Sequence, residues 1–296
     1  METRSAFVAI VGCPNVGKSS LLNEMLGQKI AIVSNKPQTT RTKIMGVLTQ
    51  NETQLVFTDT PGLHRAKNKL SAHMVKAIKD SVADVDIILF VVEPKGKIRA
   101  EEIELIENFQ KLSIPVVLVI NKIDTILEKQ QIMARIQEFS GLYPFTAVIP
   151  VSALTADGID FVIEELSNLA EPGIHFFADD TLTDQPERVL VSEMIREKIL
   201  LLFRQEIPHG IAVSIESMKE RKKGDIMDIE ATIFCEKSSH KGMLIGKNGS
   251  MLKTIGSQAR EDIERFFDIK VNLQLWVKVR EDWRNKENII KSFGLS

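Results

Sequence analysis

Cysteine is scarce in this chain, with only Cys13 and Cys235 among 296 residues, and the two fall in segments that read as different domains. That excludes the disulfide framework on which small secreted domains rely and fits a reducing compartment. Neither a disulfide nor a metal is assigned to these thiols. Long apolar runs are missing too. The longest, Ile87 to Val92 and Pro115 to Ile120, fall far short of the roughly 20 residues needed to span a bilayer, so both are expected as buried strands. The start, METRSAFVAIVG, enters a strand pattern at once, with no apolar signal core or small-residue cleavage site, and secretion is not expected. There is no internal repeat and no low-complexity tract. Net charge is slight, at −2, while 44% hydrophobic and 26% charged residues exclude wholesale disorder and fibrous repeats.

What is present suits two domains. Residues 7–12 (FVAIVG) are an apolar run, followed by a Gly/Pro/Asn turn and then by Leu21, Leu22, Met25 and Leu26 at helical spacing. Further strand-like runs at 45–49, 55–59, 86–92, 115–121 and 146–152 alternate with helical patterns around 70–82, 100–111, 128–139 and 158–169. Strands separated by helices imply an α/β fold with a doubly wound, mostly parallel sheet over residues 1–172. Residues 173–187, rich in polar groups and breakers, read as a linker. From 188 to 296 the pattern changes to helix, strand, strand, helix, helix, strand, an α+β order. Within it, Lys237 to Arg260 carries Lys241, Lys247 and Lys253 and no acid at all, which suits either a nucleic-acid surface or a solvated helix face.

Gly12-Cys13-Pro14-Asn15-Val16-Gly17-Lys18-Ser19, then Ser20, stands between a strand and a helix and matches G-x-x-x-x-G-K-[ST]. Its glycines let backbone N–H groups wrap phosphates at a helix N-terminus, Lys18 adds positive charge at the outer phosphates, and the Ser19 hydroxyl suits magnesium. Asp59-Thr60-Pro61-Gly62-Leu63 ends a strand, placing a carboxylate at the magnesium shell and a glycine N–H at the terminal phosphate. Asn121-Lys122-Ile123-Asp124 ends another. A carboxylate at Asp124 accepts from both the ring N–H and the exocyclic amine of guanine, whereas adenine offers it neither. Val151-Ser152-Ala153, at the end of the next strand, would cover the guanine carbonyl with backbone N–H groups, and Ser152, Ala153 and Leu154 are expected among the GTP contacts. In this order the three motifs specify GTP; NKID by itself would be an ordinary surface turn.

These residues resemble the TRAFAC-class, translation-factor-like GTPases over essentially all of residues 1–170. Pro37-Gln38-Thr39-Thr40-Arg41 looks like the first switch of the Era-related members, a resemblance that implies magnesium binding by Thr40, with Thr39 and Thr42 as the neighbouring alternatives. Where Ras-like enzymes orient the attacking water with a Gln after D-x-x-G, this chain has Leu63, so slow intrinsic turnover is expected. In relatives with that substitution, an Asn at the position of Asn15 is associated with a potassium ion. Asn15, Lys18, Thr40 and Gly62 are therefore the expected catalytic set, with Ser19, Thr40 and Asp59 on the metal. His64 reads as a bystander.

In the second domain Gly246-Lys247-Asn248-Gly249, preceded by Met243 to Ile245, is the G-x-x-G arrangement that clamps single-stranded nucleic acid in KH domains. The element order resembles the type II KH fold. Lys241, Ile245, Gly246, Lys247, Asn248, Gly249 and Lys253 are the expected RNA contacts. Lys270, Trp276, Lys278 and Arg280 share one face of the last strand, where Trp276 is read as covering the sheet, with base stacking as the alternative. Arg196, Lys198 and Arg204 are expected to face either RNA or solvent. A GTPase followed by a type II KH domain is the arrangement of the Era family, which the chain resembles from end to end. That resemblance implies GTP/GDP and Mg2+ as ligands, K+ as a further cation, and binding to the 3′ end of small-subunit ribosomal RNA. It also implies a role in small-subunit assembly, a cytoplasmic monomer, and occasional peripheral membrane association. Ser239-His240-Lys241 departs from the Ser-Gln-Lys usual before the loop. The competing readings are a switch that binds a protein or membrane instead of RNA, and a P-loop kinase or ATPase, which NKID opposes.

Overall fold

The computed structural model describes residues 2–36, 39–41, 43–59, 85–203, 207–222 and 224–295. They fall into two compact units that divide between Asp184 and Gln185. The first is built from β1 (Arg4–Val11), α1 (Lys18–Leu26), β2 (Ile44–Gln50), β3 (Thr53–Asp59), β4 (Ile87–Val92), α2 (Ala100–Phe109), β5 (Val116–Ile120), α3 (Lys129–Ser140), β6 (Ala147–Pro150), α4 (Ile159–Leu169) and β7 (Glu171–Pro172). The helix expected over 70–82 lies outside the described residues.

The sheet runs β2-β3-β1-β4-β5-β6. Strands β3, β1, β4, β5 and β6 are parallel, and β2 pairs antiparallel with β3 through a tight turn at Asn51. The first helix-free pair is therefore a hairpin rather than a crossover. All of β4 and β5 is buried, which explains why both read as unbroken apolar runs: a parallel strand covered by helices on both faces has no wet side. On one face Leu105, Ile106 and Phe109 of α2 pack with Phe90, Leu118 and Phe139. Because the strands run the same way, the loops after β1, β3, β5 and β6 gather at the carboxyl ends of the strands, the usual place for a ligand in such folds.

The polar stretch read as a linker is held along this unit. Glu171 and Pro172 pair with β1, Gly173 N–H donates to Thr3 O at 2.9 Å, and the Phe176 ring lies 4.8 Å from that of Phe7. Farther on, Val47 N–H donates to Leu182 O (2.8 Å) and Thr183 Oγ1 to Met45 O (2.5 Å). The residues that look like breakers place their hydrogen bonds on the free edge of β2 and on Gln54, a use with no periodicity to detect.

The second unit contains α5 (Glu187–Leu202), β8 (Ala212–Glu220), β9 (Ile226–Cys235), α6 (Ser238–Ile245), α7 (Ser250–Phe267), β10 (Lys270–Val279) and α8 (Glu287–Ser292). Its sheet runs β10-β9-β8, with β8 antiparallel and β10 parallel to β9. Val271 and Val277 of β10 join Ile195, Ile233 and Ile263 in the core, while Trp276 stands on the outward face, 44% exposed and aligned with Thr232. The C-terminal segment, featureless by sequence, folds back on part of that outward face. Trp283 is fully buried with Ile290 and Ala212, Phe293 packs on Phe234, and Trp283 Nε1 donates to Gly210 O at 2.9 Å.

Arg196 and Lys198 meet neither RNA nor solvent. Arg196 is 2% exposed and donates twice to Glu193, at 2.7 and 2.5 Å, while Lys198 is 8% exposed and pairs with Asp262 at 2.5 Å and Glu197 at 3.2 Å. Buried cations require such partners, and a helical stripe by itself does not reveal an acid contributed by a helix more than sixty residues away. Arg204 lies outside the described residues.

Candidate functional site

The turn from β1 into α1 is possible only with glycine at two places. A Cβ on Gly12 would sit 2.3 Å from Val91 O, and one on Gly17 (φ 99°) would sit 2.2 Å from Asn121 Nδ2. Lys18 opens α1, 6% exposed, with Nζ donating to the carbonyls of Gly12 (3.1 Å) and Cys13 (3.0 Å). Burial draws its pKa down and the Asp59 carboxylate opposes the shift. Burial, with a smaller push from Glu102, raises the Cys13 thiol to about 11, so Cys13 contributes backbone and not thiolate. Val16 is fully buried, and its carbonyl accepts from Asn121.

Three oxygens converge beside Lys18. Ser19 Oγ donates to Asp59 Oδ2 at 2.6 Å and lies 3.0 Å from Thr40 Oγ1. Thr39 Oγ1 instead donates to Lys36 O at 2.6 Å and lies 2.7 Å from Ser34 Oγ. Of the two described threonines, Thr40 is thus the one brought to Ser19 and Asp59. Thr42, Pro37, Gln38, Thr60, Pro61, Gly62, Leu63 and His64 lie outside the described residues. A hydroxyl pair with a carboxylate is a hard oxygen donor set and fits a magnesium ion. Asn23 sets the loop between α1 and Thr40: its Oδ1 accepts from the amides of Ile30 (3.0 Å) and Ala31 (2.9 Å).

A cleft lies here, with Pro14, Asn15, Lys18, Ser19 and Ser20 in one wall, Asn35 and Lys36 in the other, and Lys122 also in its lining. Asn15 Nδ2 donates to Asn35 O at 2.9 Å, joining the walls. Asn35 and Lys36 were not anticipated, since an irregular loop offers no pattern.

On the base-reading side the motif residues divide their work. Asn121 is 1% exposed and braces three loops: Nδ2 donates to Val16 O, and Oδ1 accepts from Lys122 N–H (2.8 Å) and Ala153 N–H (3.0 Å). It acts on the site through its shape. Asp124 is oriented by Ser152, whose Oγ donates to Oδ1 at 2.6 Å. Ser152 N–H is donated to Asp157 O at 2.9 Å and Ala153 N–H to Asn121 Oδ1 at 3.0 Å, so either amide would share or leave that partner to reach a guanine carbonyl. Leu154, 82% exposed, follows them at the surface.

In the second unit the GKNG loop turns through left-handed backbone at Gly246 (φ 72°), Asn248 (φ 52°) and Gly249 (φ 77°). A Cβ on Gly246 would meet Met251 Cβ at 2.7 Å, so glycine is required there. Lys247, Asn248 and Lys253 are exposed, Lys241 and Ile245 half-buried, and the loop leads into the N-terminus of the 18-residue α7, where unpaired N–H groups favour an anion. Beside it a groove opens between α7 and β10, lined by Leu252, Gly256, Leu273 and Leu275 with Lys253 and Arg260. An apolar floor with cations suits stacked bases and their phosphates. Of these residues only Lys253 was singled out from sequence; Arg260 stood in the acid-free segment, and the apolar floor looks like ordinary core.

A sequence-family profile described as 50S ribosome-binding GTPase matches residues 7–122, and one described as KH domain matches residues 206–284. GTPase Era of Ruminiclostridium cellulolyticum is 50% identical over 294 residues, covering 99% of this chain and 98% of that protein. GTPase Era of Clostridioides difficile is 50% identical over 291 residues, covering 98% of each. Two crystal structures superpose with TM-scores of 0.95 at 38% identity over 99% of the chain. One is an Aquifex aeolicus Era variant bound to GDP and AlF4−; the other is Era with MgGDPNP and nucleotides 1506–1542 of 16S ribosomal RNA.

Proposed function

The chain belongs to the Era family of GTPases, and on that premise we propose that it binds the 3′ region of 16S ribosomal RNA through its KH domain and acts in small-subunit assembly. It hydrolyses GTP to GDP and phosphate. The observation that carries the reading is the joining, in one chain, of the Ser19–Thr40–Asp59 cluster beside Lys18 with a GKNG loop opening onto a basic-rimmed groove. The nucleotide-domain profile names the 50S subunit, but it spans only 7–122, whereas the relative carrying 16S RNA matches both domains.

In this reading Ser19, Thr40 and Asp59 hold magnesium, which neutralises charge on the phosphates. Lys18 leaves its two carbonyl partners for the outer phosphates, and Asp124, held by Ser152, reads the guanine edge. Thr40 and Gly62 respond to the terminal phosphate, so that nucleotide state sets RNA affinity. Slow turnover, for want of a Gln at Leu63, belongs to the same proposal, as does potassium near Asn15. So do a cytoplasmic monomeric state and peripheral membrane contact; among the described residues no helix is long and apolar enough to cross a membrane.

The test is binding to a labelled 16S 3′ fragment with a non-hydrolysable GTP analogue and with GDP, across salt concentrations. Tighter binding with the analogue, weakened by salt and abolished by Lys247→Asp with Asn248→Asp, is expected. No binding in either state would replace the RNA with a protein or membrane partner.

A further inference from the structure

Glu93, just after β4, belongs to no nucleotide motif. Its Oε1 accepts from Lys122 Nζ at 2.6 Å and its Oε2 from Arg99 Nη2 at 2.8 Å. The same Lys122 ammonium donates to the main-chain carbonyl of Asn15. Asn15 (φ 67°) and Lys122 (φ 68°) are both non-glycine residues in the left-handed region, a strained conformation that persists where the surroundings enforce it. One carboxylate therefore constrains, through one ammonium, the P-loop residue that bridges to Asn35 and the residue that leads into Asp124.

The loop bearing Glu93 is itself held. Arg135 donates to the carbonyls of Glu93 (3.1 Å) and Gly96 (3.1 Å), and Lys95 donates to Thr125 O in the base-reading turn. The Arg135 guanidinium lies over the Phe139 ring at 4.5 Å, which fixes it to α3. A carboxylate on so braced a loop is a fixed reference point. Without it the Lys122 ammonium, on a side chain 36% exposed, has water as its alternative to Asn15 O.

We infer that Glu93 is a positioning residue for nucleotide binding, holding Lys122, and through it Asn15, in the conformations that the guanine nucleotide meets. The inference rests on the nucleotide-site reading above and adds a residue to it. Glu93 acts through Lys122: it keeps the phosphate-binding and base-reading loops in register before the ligand arrives, which lowers the ordering cost of binding.

Three proteins decide it: wild type, Glu93→Ala and Glu93→Gln, each measured for release of a fluorescent GDP, for kcat at saturating GTP and for melting temperature. Glu93→Ala is expected to release GDP about tenfold faster, with Glu93→Gln between the two because its amide oxygen still accepts from Lys122. Because Asn15 also belongs to the expected catalytic set, kcat at saturating GTP is expected to fall in the same order, Glu93→Ala below Glu93→Gln below wild type. Release from Glu93→Ala within about twofold of wild type overturns the inference. So does equal release from both variants accompanied by an equal fall in melting temperature, the mark of a purely structural role. A wild-type chain that binds no GDP overturns the nucleotide site and the inference together.

Discussion

Gln54 grips Phe177 by both groups of its peptide backbone: Oε1 accepts the Phe177 N–H at 3.0 Å, and Nε2 donates to the Phe177 carbonyl at 3.0 Å. The same carboxamide accepts from Phe176 N–H at 2.8 Å and donates to Thr49 Oγ1 at 3.0 Å, so all four of its hydrogen-bonding places are filled although the side chain is fully buried. One glutamine in β3 thereby ties the stretch after β7 to the sheet. Gln54→Leu, close in volume, would leave these backbone groups without their partner. A loss of about 2–4 kcal/mol is expected, read as the urea midpoint of the first unit's transition. An unchanged midpoint would mean that this stretch contributes nothing to stability.

His175 supplies a pH dependence to the same attachment. Its Nδ1 lies 2.7 Å from Asp179 Oδ1 and its Nε2 3.1 Å from Glu52 O, and both neighbours accept hydrogen bonds only, so both ring nitrogens must carry protons. The bond to Asp179, then that to Glu52, raises its pKa above the ordinary 6.5. A raised folded-state value means that folding takes up a proton, so the stabilisation is full below 6.5 and fades as pH rises through the folded value. The difference in urea midpoint between wild type and His175→Ala should therefore be larger at about pH 6 than at about pH 9. A pH-independent difference would refute the charged form.

Ser152 Oγ holds the carboxylate of Asp124, the residue proposed to read guanine. Removing its hydroxyl leaves the carboxylate free to rotate, and Ser152→Ala is expected to weaken GDP binding by about tenfold, with the fold intact by circular dichroism. Asp124→Asn should cost GTP far more, on the order of a hundredfold or above, because an amide cannot accept from both guanine donors. Titration of a fluorescent nucleotide measures both. Equal effects from the two substitutions would place the discrimination elsewhere.

Trp283 tests the closing segment of the second unit. It is fully buried and bonded to Gly210 O, so Trp283→Ala should remove about 3–5 kcal/mol from that unit's unfolding and leave nucleotide binding unaffected. Two-probe denaturation, by nucleotide fluorescence and by ellipticity, separates the units. A matching loss of nucleotide affinity would argue against independent folding.

Much of the chemistry was legible in residue order. G-x-x-x-x-G-K-S, D-x-x-G and NKID each demand specific atoms at strand ends, and a parallel sheet gathers the carboxyl ends of its strands together, so Lys18, Ser19, Asp59 and Asp124 were identifiable before any coordinate. The GKNG loop was legible for a related reason, since its left-handed backbone calls for glycine. Arg196 and Lys198 were not: Arg196 pairs with Glu193 one turn along the helix, and Lys198 with its neighbour Glu197 and with Asp262 on another helix. Glu93 was invisible because a single carboxylate after a strand has no spacing rule. Residues 173–183 were misleading because main-chain hydrogen bonding leaves no trace in side-chain pattern.

The sequence by itself determined the fold class and where the G-x-x-x-x-G-K-S, NKID and GKNG segments fall among strands and helices, because each depends on local residue types at close spacing: apolar period, and glycine where φ is positive. Tertiary structure alone decided that Thr40 and not Thr39 stands with Ser19 and Asp59, that Asn121 braces three loops, that the Ser152 and Ala153 amides are already donated, and that Trp283 caps a sheet. Those outcomes depend on distances between residues far apart in the chain, such as the 2.6 Å from Ser19 to Asp59 and the 2.9 Å from Trp283 to Gly210. A hydrogen bond fails within about an ångström of error, and only the packed core sets positions that finely.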